Sequence, residues 1–373
     1  MSAGGGVLAE RLSAQLLSGP PAKDALAVTR HLLAIQGQDP RGARLAIRVR
    51  SVGIAAADVD RALSEERSLL ITWCNRGTLH LIASEDYHWL HALTTPPLLT
   101  ANARRLAQEG LSAGAIERGI AAIERALQRE GPLTRKQLRE RIDAAGVRTA
   151  GQALVHLLML ASLRGLIVRG PMREREHAYV LVREWLGESG PVDRDRALAE
   201  LARRYLQGHG PADERDLARW AGLPLRDVRA GLGAIAHELR ERPDGLLELR
   251  RRRTPAPLPP PLLLGPFDPV LLGWRSREEL LAGHRELVTD NGLFRAFALV
   301  GGRAAATWGL ASGAIELRPF AGLTRAVRSA LEAEADAVLH YLGLGSRAGR
   351  ASVTVNSASV GLGARPARSS QSS

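Results

Sequence analysis

Two amides one residue apart, Gln36 and Gln38, stand in the run Leu33-Ala34-Ile35-Gln36-Gly37-Gln38-Asp39-Pro40. An amide carries an acceptor oxygen and a donor nitrogen but moves no proton near neutral pH, so a converging pair can orient a water and favour positive charge developing nearby. Asp39 is a second candidate to activate that water, beside the simpler role of capping a helix that starts at Pro40. Read from the residues alone the choice stays open, because glutamines at a helix end are more often solvated caps than catalysts.

The elements that must position the pair follow from pattern. Leu26, Leu32, Leu33 and Ile35 predict a helix over 24–36 packed on one face, ended by Gly37 in the left-handed conformation. On an unbroken helix residues 36 and 38 point about 200° apart, so the break at Gly37 is what lets the amides meet. A following helix from Pro40 carries Arg41, Arg44 and Arg48 near one face as candidate anion contacts, with Leu45 and Val49 free for the core.

The net charge is +12, and arginine supplies nearly all the cations, since Lys23 and Lys136 are the only lysines. Such a chain is drawn to polyanions. The same composition also follows from a GC-rich genome, and many of these arginines then do no more than solvate helices. A length of 373 residues suffices for several cores, and the 45% apolar fraction is that of an ordinary globular protein. The longest apolar stretch, Leu154 to Leu163, is too short to span a bilayer and the N-terminus lacks a secretion signal, so a cytoplasmic, nucleoid-associated address and no membrane are expected. Cys74, the single cysteine, excludes an internal disulfide and a cysteine-based zinc site; no cofactor and no metal are expected.

Gly131-Pro132-Leu133-Thr134 and Gly210-Pro211-Ala212-Asp213 are matching punctuation: a turn, a capping residue, a helix whose apolar side starts at Leu138 or Leu217, a glycine turn, and a second helix. Two short strands around the charged turn Met172 to Glu176 complete the first as a wing, and Leu246 to Leu249 with the run Arg250 to Arg253 complete the second. Little strand character is expected before Leu246 apart from these wings and a strand-like stretch at Thr78 to Ile82. Arg173, Arg175, Arg250, Arg251 and Arg252 are candidate phosphate contacts. The proline-rich stretch Thr254 to Pro261 marks a boundary. Beyond it Leu293 to Val300, Arg303 to Leu310 and Ile315 to Phe320 read as an antiparallel meander, followed by a helix over Thr324 to Leu342 and a frayed tail from Gly363. Trp73, Trp274 and Trp308 read as core, and His80 as a buried or hydrogen-bonding histidine with a DNA contact as the alternative.

The glutamine run resembles the Gln-x-Gln motif of the AlkZ-type winged-helix DNA glycosylases, the bacterial family of azinomycin-resistance and interstrand-crosslink-unhooking enzymes. Thr72-Trp73-Cys74-Asn75-Arg76-Gly77-Thr78-Leu79-His80-Leu81, Arg204-Tyr205-Leu206 with Gly208-His209-Gly210-Pro211, Phe267-Asp268-Pro269-Val270-Leu271-Leu272-Gly273-Trp274, and Gly292-Leu293-Phe294-Arg295 leading to Gly302 and Thr307-Trp308 are similar to its signatures in the same order. The likeness runs from about Leu8 to Leu342.

The resemblance implies a mainly α, α+β chain of three tandem winged-helix modules and a C-terminal β-rich domain, with boundaries at 1–105, 106–190, 191–255 and 256–373. It implies a monofunctional glycosylase that removes N7- or N3-alkylated purines from double-stranded DNA and unhooks crosslinks, with Gln36 and Gln38 positioning the water. A sister group has Asp at the second position, so Gln38 places this chain nearer the crosslink group. Gly37 departs from the aliphatic residue, often Ala, usual between the glutamines, which puts rate and substrate range in doubt. The alternative is a non-enzymatic winged-helix DNA-binding regulator; regulators commonly dimerise, yet no heptad appears and a monomer is expected.

Overall fold

The computed structural model describes residues 4–173, 176–289, 292–344 and 354–355. The elements in chain order are α1 (Gly4–Ala14), α2 (Ala25–Leu32), β1 (Ile35–Gln36), α3 (Pro40–Arg48), α4 (Ala56–Ser64), β2 (Leu69–Cys74), β3 (Thr78–Ala83), α5 (Tyr87–Thr94), α6 (Pro96–Gln108), α7 (Ala113–Glu130), α8 (Arg135–Ala144), α9 (Ala153–Leu163), β4 (Ile167–Arg173) and β5 (Glu176–Leu181). They continue with α10 (Val182–Trp185), α11 (Arg194–His209), α12 (Glu214–Ala221), α13 (Leu225–Ala234), β6 (Leu239–Glu241), β7 (Leu247–Leu249), β8 (Leu262–Leu264), α14 (Glu278–Leu281), β9 (Phe297–Val300), β10 (Arg303–Ala311), β11 (Ala314–Pro319), α15 (Arg325–Tyr341) and β12 (Thr354–Val355). The class is α+β with mostly antiparallel sheets. Among the described residues no helix is long and apolar enough to cross a membrane.

One order of elements occurs three times: helix, extended segment, two helices, antiparallel strand pair. It is α2-β1-α3-α4-β2-β3, then α7-α8-α9-β4-β5, then α11-α12-α13-β6-β7. In the second and third units the extended segment is a single bridge, Leu133 to Tyr179 and Ala212 to Leu247. The second helix of each is capped where the chain leaves that segment. Asp39 accepts from Gly42 N at 2.7 Å, Thr134 from Gln137 N at 3.3 Å, and Asp213 from Asp216 N at 2.7 Å. The first two strand pairs merge into one sheet of order β1-β3-β2-β4-β5.

Strands β1 and β2 correct the expectation of little strand character before Leu246, while β3 falls on the stretch read as strand-like at Thr78 to Ile82. Leu69–Cys74 is buried along its whole length, because the sheet lies between two cores. A strand covered on both faces shows no alternation to read. Ile71, Trp73, Leu79 and Leu81 face one core, and Leu70, Cys74 and Ile82 the other.

Beyond the proline-rich segment, β8 to β11 form an antiparallel sheet with α15 packed on it around Leu331, Ala335 and Val338. Trp274 and Trp308 are buried, and their indole N–H groups donate to His209 O and Leu264 O, both at 2.8 Å. Trp73 is buried as well. The tail from Gly363 lies outside the described residues.

The second half grips α3 from behind. Arg50 and Asp268 are fully buried and paired at 2.7 and 2.9 Å, and the guanidinium also donates to Gln15 O and Ala46 O at 2.8 Å. A Cβ on Gly42 would sit 2.3 Å from Pro266 O, so α3 rests directly on the loop before Phe267. The Phe267-Asp268-Pro269 run is thus a seat for the helix that follows the glutamines.

Candidate active site

The helix before the glutamines ends earlier than its apolar spacing suggests. Helix α2 stops at Leu32, and Leu33 turns the chain with φ 66°, leaving 35–36 as strand β1 against β3. Gly37 has no positive φ and ends no helix. What brings the amides together is strand geometry: residues i and i+2 point to the same face. Gln36 is 6% exposed and Gln38 is on the surface, and Gln36 Nε2 donates to Gln38 Oε1. One amide forms the floor and the other the rim.

The register fixes the surroundings. Gln36 lies opposite His80, which lies opposite Thr72, and Gly37 N donates to Leu79 O at 2.7 Å. His80 is buried with Nδ1 3.0 Å from Thr78 O; burial, reinforced by Arg76, pushes its pKa down to about 3, so it is neutral at physiological pH. Thr78 Oγ1 is buried without a partner among the described residues. Gly37 faces Ile71 on the opposite side, where an added Cβ would lie 3.3 Å from Leu81 N. Asp39 spends one oxygen on its cap. Cys74 is no nucleophile here, because burial raises its thiol pKa to about 12.

A cleft of about 340 Å³ opens from Asp39 and Arg41 across to Arg295, which precedes β9, and to Trp308 and Arg318 of the C-terminal sheet. Arg41 is exposed, with no side-chain partner among the described residues. Its two companions are corrected. Arg44 is buried, its Nε 2.9 Å from Asp60 and its Nη1 2.8 Å from Pro40 O, and Arg48 makes a two-pronged pair with Glu334 at 2.7 and 2.9 Å. Both hold α3 in place and are not free to meet an anion.

A second concavity, about 750 Å³, is lined by His31, Gln207, Arg203, Arg250, Arg251 and Arg253 among others. Arg250 and Arg251 are exposed and have no side-chain partner among the described residues, whereas Arg252 is held by Glu10 at 2.8 Å and Glu248 at 3.0 Å. Arg173 is exposed near the end of the β4–β5 hairpin, and Arg175 lies outside the described residues. Sequence reasoning missed a further group, Arg76, Arg219 and Arg277, from three separate segments. No short motif links them, and only Arg76 falls within a run that stood out. Among the described residues no group of three or more His, Cys, Asp or Glu side chains could hold a metal.

The family model of the AlkZ-like DNA glycosylases matches residues 29–341. The chain is 26% identical over 364 residues to the interstrand DNA cross-link repair glycosylase of Streptomyces sahachiroi, covering 91% of this chain and 96% of that one. It also resembles the solved structure of Streptomyces sahachiroi DNA glycosylase AlkZ, with a TM-score of 0.75, 23% identity, and coverage of 95% of this chain and 99% of that one. With a match that spans both glutamines, the cleft beside them and the C-terminal sheet, the chain belongs to the AlkZ-like DNA glycosylases, enzymes acting on DNA.

Proposed function

We propose that the protein hydrolyses the N-glycosidic bond of N7- or N3-alkylated purines in duplex DNA, crosslinked purines included, with water placed by Gln36 and Gln38. The observation that carries the reading is the bonded amide pair at the end of β1, half inside and half outside, followed directly by Asp39 and Arg41, which line an open cleft. The Streptomyces relative named for crosslink repair supports the substrate class. The three repeated units are read as winged helices, with boundaries near 105, 190 and 255, that lay the duplex over this face.

The chemistry suits neutral amides. An alkylated purine carries positive charge and leaves without a general acid, so the usual pair of carboxyl groups is dispensable. With its Nε2 given to Gln38, Gln36 Oε1 is left to accept a water O–H and to favour charge on an oxocarbenium-like sugar. The water oxygen bonds to C1′, the C1′–N bond electrons pass to the cationic purine, and the water's proton leaves to solvent. No amine nucleophile lies in the pair, so the strand stays uncut and an abasic site remains. Arg41, Arg173, Arg250 and Arg251 supply backbone contacts.

Incubating full-length protein with an N7-alkylguanine duplex and with a crosslinked duplex, then treating with mild base, tests this. Strand breaks that appear only after the base step are expected from both substrates. Absence of abasic sites in both would overturn the proposal.

A further inference from the structure

Arg76 sits in the β2–β3 turn, Arg219 on α12 and Arg277 in the loop after Trp274. Arg76 Nη1 donates to the carbonyl of Trp220, the neighbour of Arg219. The turn and helix touch so closely that a Cβ on Gly222 would stand 3.0 Å from Arg76 N. Arg277 Nε donates to Leu271 O at 2.7 Å, and its guanidinium lies 5.2 Å from the centre of the Phe294 ring.

None of the three has a carboxylate partner among the described residues, although most arginines elsewhere in the unit do, as Arg229 with Glu214 and Arg203 with Glu238. Burial lowers the pKa of Arg76 to about 10, with Arg219 and Arg277 adding to the fall, and Arg277 is lowered by burial and then by Arg219. Mutual repulsion of this kind, with Arg76 and Arg277 half out of water and no counter-ion, is a cost that a bound anion removes. Arg76 follows Cys74 in the turn that joins β2 to β3, the strand whose His80 is the register partner of Gln36, and its charge adds to the fall in the His80 pKa.

We infer that Arg76, Arg219 and Arg277 clamp one backbone phosphate of the DNA strand that passes the glutamines. The clamp deepens the proposed function and rests on it for the identity of the polyanion. A planar guanidinium offers paired donors to phosphate oxygens, and three from separate segments fix a phosphate in space and so fix the sugar attached to it.

The test is binding of the full-length protein to an undamaged duplex between 50 and 300 mM salt, by fluorescence anisotropy. Arg219→Ala is the first variant, since Arg219 is exposed and has no side-chain partner among the described residues, and Arg277→Ala the second. Arg129→Ala, at a residue exposed on α7 without a side-chain partner among the described residues, is the control for general charge. Loss of one of the three guanidiniums on that phosphate should flatten the slope of log Kd against log salt by up to about 0.9 and weaken binding by up to roughly tenfold at about 0.1 M salt. Arg219→Ala and Arg277→Ala indistinguishable from Arg129→Ala would overturn the clamp.

Single methylphosphonate substitutions along the duplex then locate the contact. One position should cost the parent protein more than it costs Arg219→Ala, in which two of the three cations remain; equal losses in both proteins at every position would also overturn it. Binding to undamaged DNA asks nothing of hydrolysis, so a protein that fails to excise leaves this test intact. One that excises normally with unchanged slopes sinks the clamp alone.

Discussion

Aligning the three repeated units on the capping residue of their second helices sets Gln36-Gly37-Gln38-Asp39 over Gly131-Pro132-Leu133-Thr134 and Gly210-Pro211-Ala212-Asp213. The cap is kept in function: Asp39, Thr134 and Asp213 each accept from a backbone N–H of the following turn. The residue before it differs. Leu133 and Ala212 are buried and each makes one bridge to the strand pair, whereas Gln38 is exposed and its amide is joined to that of Gln36. One scaffold position thus closes a core in two units and presents polar atoms in the third. The comparison also weighs on Asp39, whose counterparts cap helices far from the glutamines.

The largest effect should separate these roles. Gln36→Ala with Gln38→Ala should slow release of alkylated base by at least about 100-fold, the scale of losing a fixed group that stabilises charge in a transition state, with duplex affinity and melting temperature little changed. Leu133→Ala should do the reverse, costing about 2–5 kcal/mol in urea unfolding with the excision rate kept. Undiminished turnover in the double glutamine variant would dissolve the distinction between the units.

Each unit also buries a histidine: His80, His177 and His209. Burial holds their pKa values to about 3, about 4 and about 3. A histidine held below its unfolded value is bound neutral in the native state, so its stabilisation is complete above pH 6.5 and is lost as pH falls toward the folded values. Each adds up to about 1.4 kcal/mol per pH unit in that window. Urea unfolding at pH 7 and pH 5 should therefore show a steep loss in acid, and replacing His177 by Gln should remove part of it. For the reaction the sign differs: with His80 neutral throughout, the single-turnover rate should show no histidine ionisation between pH 5.5 and 8, and a step near 6.5 would assign His80 a proton-transfer role.

Much of this frame was legible beforehand. The Gly-Pro turns, Thr134 and Asp213 as caps, the meander after the prolines and the helix to Tyr341 follow from local chemistry that the structure leaves in place. The amide pair was legible as residues but not as geometry. A two-residue strand has no period, and the apolar run through Ile35 imitates a longer helix that Leu33 breaks with a tight turn at positive φ, in which Ala34 N donates to Leu32 O. The arginines were hardest. Arg44, Arg48 and Arg252 find Asp60, Glu334 and Glu10, the last two more than 200 positions away, and no reading of neighbours reveals which cations are already paired. Arg250→Ala and Arg251→Ala should accordingly weaken duplex binding in a salt-dependent way, while Arg252→Ala should lower stability more than affinity.

The caps give a smaller, sharper test. Asp39→Ala and Asp213→Ala should each cost about 0.5–2 kcal/mol of stability, and Asn at either position should restore most of it, since Asn caps as well as Asp. An excision rate in Asp39→Asn within a few-fold of the parent places Asp39 with its counterparts. A loss near that of the glutamine variants would make it the base for the attacking water.

The smallest effect belongs to Gly37, which replaces the prolines of the other units. Its φ is not positive and its missing side chain faces Ile71, away from the amides. Alanine there restricts the unfolded chain, a gain of about 0.4–1 kcal/mol. Against this, its Cβ would meet Leu81 N at 3.3 Å and Ile71 Cγ2 at 3.5 Å, which asks β1 to move by a few tenths of an ångström. The two terms nearly cancel, so Gly37→Ala should change stability by less than about 1 kcal/mol. Because Gln36 and Gln38 are both bonded to that backbone, the same small shift moves the pair together and leaves its internal hydrogen bond, so the excision rate should change by less than about threefold. A loss beyond tenfold with stability unchanged would mean that placement relative to β3, rather than the pairing of the amides, sets the rate.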